Sequence, residues 1–236
     1  MTRRVFISDL HLEDVESPTF HRFKELMEFE SSQVDEIYIL GDLVEMWVGD
    51  DDDADIAMAL ADVIRSASCP VFLMHGNRDF LFGERFSEAT GAVVLPDPYL
   101  TSDGLLLSHG DSLCTDDQEY QQMRTLFRSD AWQQDLLSKS LDERKALGQM
   151  LRSQSKAANA NKATNIMDVN ENALEALFAE HDALTFIHGH THRPGIHPRD
   201  SAVRMVLGAW ERCGWLIRQD GSRFELQSFA LNKPYR

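Results

Sequence analysis

Short apolar runs recur along the chain, and each stops on a similar kind of polar residue. Val5-Phe6-Ile7, Ile37-Tyr38-Ile39-Leu40, Val71-Phe72-Leu73-Met74, Leu105-Leu106-Leu107-Ser108 and Leu184-Thr185-Phe186-Ile187 are the clearest. Runs of this length, rich in β-branched and aromatic side chains, predict buried strands. Phe20, Phe23, Leu26 and Met27 fall at helical spacing after the first run. Strand and helix therefore alternate, as in an α/β or layered α+β protein. The strands stop at Asp9, Gly41-Asp42, His75-Gly76-Asn77, His109-Gly110-Asp111 and His188-Gly189-His190. In open sheets, ligands gather beyond the carboxyl ends of strands, where loops converge. The five loops are expected to meet at one site.

Between Asp116 and about Asp182 the strand pattern gives way to Ala, Gln, Leu, Met, Lys and Glu with apolar residues at helical spacing. This predicts an insertion of several helices, about residues 117–182, inside a single domain spanning 1–236. Beyond it, Arg204–Leu207, Gly214–Ile217 and Phe224–Leu226 read as further strands, expected to form a closing sheet behind the first five.

The charge narrows the partners. A formal net charge of −16 over 236 residues excludes a broad grip on nucleic acid, which needs many Lys and Arg against phosphates. It also disfavours a purely electrostatic hold on an anionic membrane. Cys69, Cys114 and Cys213 are odd in number and form no Cys-x-x-Cys pair, which fits a reducing compartment. Arg3 and Arg4 precede an apolar run, but Asp9, His11, Glu13 and Asp14 cut it too early for a secretory signal. No run of about 18 apolar residues is present to span a bilayer. One stretch opposes the global charge: Arg144, Lys145, Arg152, Lys156 and Lys162 lie between Glu143 and Asp168 with no acid among them. Taken alone, that is the pattern of a solvated helix face or a helix end matched to its dipole.

The strand ends supply Asp9, His11, Asp42, Asn77, His109, His190 and His192 as candidate metal ligands. Four imidazoles, two carboxylates and an amide suit Mn²⁺, Fe²⁺, Co²⁺ or Zn²⁺ better than Ca²⁺, which prefers oxygen alone. Asp-x-His and His-x-His place alternate side chains on one side of an extended loop. Singly these motifs are weak, since Gly-Asp pairs commonly end strands and Gly-His-Thr-His makes an exposed turn. Their coincidence at five strand ends is far less ordinary. Seven donors exceed the needs of one ion, so two are expected, about 3.5–4 Å apart, with Asp42 a candidate bridge. Two divalent ions set against Asp9 and Asp42 leave a local charge of about +2, which draws phosphate or diphosphate. Water bound there is acidified and placed to attack phosphorus in line. Arg78 adjoins Asn77, and its planar fork suits a phosphoryl oxygen. Its alternative partner is Asp79 or another nearby acid.

The order Asp-x-His, Gly-Asp, Gly-Asn, His, Gly-His-x-His resembles the calcineurin-like metallophosphoesterase superfamily over the chain outside the helical insertion. Many members carry His after the motif Asn. Arg78 stands there instead, and it cannot release a proton at ordinary pH, so acid assistance from that position is not expected. A narrower resemblance runs nearly end to end. Gly41-Asp42-Leu43-Val44-Glu45 with Trp47 and Gly49-Asp50-Asp51-Asp52, His75–Leu81, His109–Asp117, Met167-Asp168-Val169-Asn170 and His188–Pro194 are similar to the UDP-2,3-diacylglucosamine diphosphatases of bacterial lipid A biosynthesis.

That resemblance implies a metallophosphoesterase β-sandwich flanked by helices, with the insertion as a helical cap. It implies Mn²⁺-dependent hydrolysis of UDP-2,3-diacylglucosamine to UMP and 2,3-diacylglucosamine 1-phosphate, water attacking the uridine-side phosphorus. Substrate contacts carry over onto Asn77, Arg78, Asp117, Ser155, Asn159, Lys162 and His190, and an acyl-chain groove is expected among apolar residues of the insertion. The basic stretch then gains a purpose, with Ser155, Asn159 and Lys162 on one helix face. The expected location is cytoplasmic, peripheral on the inner face of the inner membrane, with no obligate protein partner. Two other readings remain: a two-metal phosphoesterase for a soluble nucleotide diphosphate or phosphodiester, and a non-enzymatic scaffold of the same fold.

Overall fold

The computed structural model describes residues 2–159 and 164–236. Its strands are β1 (Arg3–Ile7), β2 (Glu36–Ile39), β3 (Val71–Met74), β4 (Val93–Leu95), β5 (Tyr99–Leu100), β6 (Leu105–Ser108), β7 (Thr185–His188), β8 (Gly195–Pro198), β9 (Val203–Val206), β10 (Cys213–Asp220) and β11 (Arg223–Ala230). The helices are α1 (Pro18–Ser31), α2 (Asp55–Arg65), α3 (Glu84–Thr90), α4 (Gln118–Phe127), α5 (Asp130–Leu137), α6 (Leu141–Asn159) and α7 (Glu171–His181). Two sheets result, ordered β11-β10-β1-β2-β3-β4 and β5-β6-β7-β9-β8.

The pleat of each strand sorts its apolar residues between two cores. On β1, β2 and β3, Val5, Ile7, Ile37, Ile39, Val71 and Leu73 face outward and pack with Phe23 and Leu26 of α1 and Leu60 and Ile64 of α2. The intervening Phe6, Tyr38 and Met74 face inward and meet Leu105, Leu107, Ile187 and Met205 of the other sheet. Parallel register sets Phe6 beside Tyr38 and Tyr38 beside Phe72, and the three rings stack at centroid distances of 5.1 and 4.9 Å. On the second sheet Leu106 and Phe186 point away from that core, against Leu113 and Leu174. The layers are thus helix, sheet, sheet, helix, which explains why the strands read as continuous apolar runs: both faces are buried.

The chain's last strands do not make a closing sheet of their own. β9 pairs in parallel with β7 inside the second sheet, whereas β10 pairs antiparallel with β1 and β11 with β10, extending the first. The pleat gives the reason. Register sets Ile217 opposite Phe6, so Ile217 joins the core between the sheets while Leu216 joins the outer one. Met205 of β9 also feeds the inter-sheet core, from the other side. Each strand therefore covers a different sheet edge that would otherwise leave backbone groups unpaired.

Side-chain caps fix the helices between β6 and β7. Asp117 accepts the Tyr120 amide at the start of α4 (3.2 Å), and Asn170 accepts those of Asn172 and Ala173 at the start of α7 (2.9 and 3.1 Å). Arg144 of α6 anchors this helix to the body: it donates to Val48 O at 2.6 Å and to both carboxylate oxygens of Asp51. Among the described residues, no helix is long and apolar enough to cross a membrane.

Candidate metal centre

The loops leaving β1, β2, β3, β6 and β7 are laced to one another by backbone and side-chain hydrogen bonds. Asp9 N donates to Gly41 O (3.1 Å), His11 N to Asp42 O (3.0 Å) and Gly189 N to His109 O (3.0 Å). His190 N donates to Asp9 Oδ2 at 2.9 Å, and Arg78 N to Asp42 Oδ1 at 2.8 Å. Left-handed backbone turns the side chains inward. Asp9, His11, Asp42, His190 and His192 have φ between 51° and 63°, a conformation that costs a non-glycine residue of order 1 kcal/mol or more. Gly41, at φ 88°, has no room for a side chain, since a Cβ there would lie 2.6 Å from His109 Nδ1 and 2.7 Å from the Gly76 backbone.

Two clusters of donor atoms follow. Asp9, His11 and His192 form one, and Asp42, His109 and His190 the other, the ligand atoms of each lying within 4.8 Å of one another. Asp42 Oδ2 faces both, 3.9 Å from His11 Nε2 and 3.8 Å from His109 Nε2. Asn77 closes the second cluster. Its Oδ1 faces Asp42 Oδ2, His190 Nδ1 and His109 Nε2 at 3.2, 2.9 and 3.1 Å. An amide oxygen among two ring nitrogens and a carboxylate oxygen is the company a divalent cation requires. With the amide reversed, Nδ2 faces the same three atoms and Oδ1 accepts from Arg78 Nε at 3.3 Å. The seven residues therefore fit two ions on donor chemistry. His75 and His188 turn elsewhere, to Phe82 O (2.8 Å) and Gly189 O (2.9 Å).

Burial and charge oppose each other here. Burial lifts Asp9, but the hydrogen bond from His192 and the charges of His109, His192 and His11 outweigh it, holding the carboxyl far below its usual range. Burial lowers His11, yet Glu45, Asp42 and Asp9 raise it to about 9. His109 likewise reaches about 9, as Asp42 and Asp9 overcome its burial. His190 is pulled down to about 4 by burial and by His109. These carboxylates thus collect positive charge, on protons when no ion is bound.

The comparisons with known proteins agree with this geometry. Residues 2–194 match the family model for calcineurin-like phosphoesterases. A UDP-2,3-diacylglucosamine hydrolase of Chromohalobacter salexigens is 41% identical, covering 96% of this chain and 97% of the relative. One from Chromobacterium violaceum is 44% identical over 92% of this chain and 94% of its own. The chain belongs to the UDP-2,3-diacylglucosamine hydrolases, within the calcineurin-like phosphoesterase family. A solved archaeal phosphodiesterase shares the fold, with a TM-score of 0.53 at 11% identity, covering 96% of this chain and 99% of that one.

In this UDP-2,3-diacylglucosamine hydrolase relative, other site residues went unmarked by motif spacing. Asp79, fully buried, accepts from Leu43 N and Gly76 N at 2.7 Å each and from Asp42 N at 3.3 Å, clamping two loops. Burial and the neighbouring Asp42 push its carboxyl up to about 7. Asp111, also within a motif, accepts from Tyr120 Oη and Arg124 Nε at 2.8 Å each and pins α4 beside the site. The Tyr120 ring lies 5.6 Å from that of His190. Arg78 does not pair with Asp79; its Nε lies 3.8 Å from Glu45 Oε1. Ser155 is partly buried on α6 and lines the cavity above the clusters. Asn159 ends α6, and its side chain, like Lys162 as a whole, lies outside the described residues.

Proposed function

We propose that this protein hydrolyses the diphosphate of UDP-2,3-diacylglucosamine to UMP and 2,3-diacylglucosamine 1-phosphate with two Mn²⁺ ions. Asp9, His11, Asp42, Asn77, His109, His190 and His192 are the residues that would hold them. The observation that carries the reading is a cavity of about 330 Å³ opening beside the donor clusters. Its lining includes the polar Asn77, Arg78 and Ser155 and the apolar Met46, Trp47, Phe80, Phe127, Trp132, Leu147 and Leu151. A lining that joins polar groups to many apolar side chains fits a substrate that is diphosphate at one end and acyl chain at the other.

When bound, the ions would supply an acidified water and stabilise negative charge developing on phosphorus. The chain's own residues do the rest. Arg78 directs its guanidinium at the phosphoryl oxygens and stays charged throughout. It gives no proton to the leaving group, a sugar phosphate stable enough to depart as an anion. Ser155, Asn159 and Lys162 of the helical segment, with Asp117 at its start, would hold the sugar and its phosphate. The aromatic wall of Phe80, Phe127 and Trp132, with ring centroids 4.6 to 6.3 Å apart, would exclude water from the acyl chain. The segment would cap the site within one domain.

The substrate's acyl chains also imply a place of work. Met123, Leu126, Leu137 and Met150 on α4, α5 and α6 are each 41–49% exposed. We infer that this face rests against the cytoplasmic side of the inner membrane, where such a lipid resides. Release of UMP from UDP-2,3-diacylglucosamine, measured beside ADP-ribose and a simple phosphodiester with added Mn²⁺, tests the reading. A large preference for the acylated substrate, abolished in Asp42→Ala, is expected. Equal rates on all three overturn it in favour of a general two-metal phosphoesterase.

A further inference from the structure

Glu45 is neither a candidate ion ligand nor a substrate contact, yet it touches both groups. Its backbone is fixed against that of His11: His11 N donates to Asp42 O at 3.0 Å, Leu12 N to Leu43 O at 3.0 Å, and Glu45 N to Leu12 O at 3.2 Å. This short parallel bridge pairs Leu12 with Val44 and sends the Glu45 carboxylate toward the His11 ring. Glu45 Oε2 stands 2.9 Å from His11 Nδ1, at an angle short of a well-directed hydrogen bond, and Nδ1 has no other partner among the described residues. Glu45 Oε1 stands 2.9 Å from Arg152 Nη1 on α6 and 3.8 Å from Arg78 Nε. Both arginines line the cavity.

We propose that Glu45 is a positioning residue, holding His11 for its ion through one oxygen and coupling that hold to the cavity arginines through the other. The proposal rests on the two-ion reading above. A ring held by a carboxylate at Nδ1 keeps its hydrogen there and presents Nε2 to the ion as the more basic donor, a contact worth 10–100-fold in metal affinity in known sites. Arg152 and Arg78 withdraw part of the same carboxylate's charge. A substrate phosphate that draws them away leaves that charge to His11, so anion and ion strengthen one another's binding.

The test is Mn²⁺ binding to chelator-stripped protein, followed by the electron paramagnetic resonance of the free ion, with thermal unfolding of the metal-free form alongside. Wild type is expected to take two ions. Glu45→Gln should bind one of them about 10–100-fold more weakly with an unchanged metal-free Tm, and excess Mn²⁺ should restore its turnover. Glu45→Asp, which keeps the charge, should fall between the two. Arg152→Gln, which returns charge to Glu45, should tighten that same ion. Wild-type affinity for both ions in Glu45→Gln overturns the proposal, as does loss of both together with a lowered Tm. A wild type that takes up no ions overturns the two-ion reading itself, which separates the two failures.

Discussion

At Asp9, His11, Asp42, His190 and His192 the chain adopts left-handed backbone that only glycine would take without steric cost. Glycine would relax the backbone but remove the donor, so the strain marks where side-chain chemistry outranks local comfort. The metal-free electrostatics give the first prediction. His11 and His109, at about 9, carry protons at neutral pH, whereas an ion needs the ring nitrogen bare. Ion uptake must therefore release protons, and affinity should climb from pH 7 to 9 by up to about tenfold per pH unit for each proton released. It should level off once both rings are neutral. Mn²⁺ titrations at several pH values in this span check the slope, and a flat profile contradicts it. Asp79 supplies the second. Asp79→Ala strands the buried amides of Asp42, Leu43 and Gly76, so unfolding should become easier by roughly 2–4 kcal/mol. Chemical denaturation of the metal-free protein measures it. Asp42 and the Asp-x-His pair could be marked from their strand-end positions, but Asp79 and Glu45 could not. Their worth lies in which amides and which ring they meet across the chain, and spacing along the sequence does not encode that.

At the scale of elements, legibility followed burial. Strands β1, β2, β3, β6 and β7 are apolar on both faces and stood out as runs, while β4, β5 and β8 are short and mostly uncovered and left too little pattern to mark them. The destinations of β9 and β10 were hidden for another reason: each needs only a pleat that matches an open sheet edge, and two edges offered one. The cavity was equally hidden, because its wall mixes Trp47 and Phe80 from strand-end loops with Phe127, Trp132 and Leu147 from helices far along the chain. What holds those helices to the loops is testable. Arg144 of α6 is buried and spans Val48 O and Asp51. Arg144→Ala should leave the carbonyl without its donor, cost about 1–2 kcal/mol, and free α6 from the body. Hydrogen exchange should then accelerate over residues 141–157, and KM should rise more than kcat falls. Unchanged exchange in α6 would assign Arg144 no part in closing the cavity.

For the whole molecule, the charge of −16 and the proposed membrane contact pull in opposite directions. A protein this acidic is repelled by anionic headgroups over a Debye length of about 8 Å at physiological salt. Attraction must come from buried apolar surface, and the exposed Met123, Leu126, Leu137 and Met150 on α4 to α6 offer it. The sign of the salt effect separates this from a polybasic anchor. Salt releases a protein held by lysines and arginines, but here it screens the repulsion and leaves the apolar term intact. Binding to vesicles containing anionic lipid should accordingly hold or strengthen as salt rises from 50 to 500 mM. Replacing Leu126 and Met150 together by Ser should weaken binding at every salt concentration, while hydrolysis of detergent-dispersed substrate should change little, since neither residue lines the cavity. Release of the wild-type protein by salt would show that the basic stretch from Arg144, not the apolar face, makes the contact.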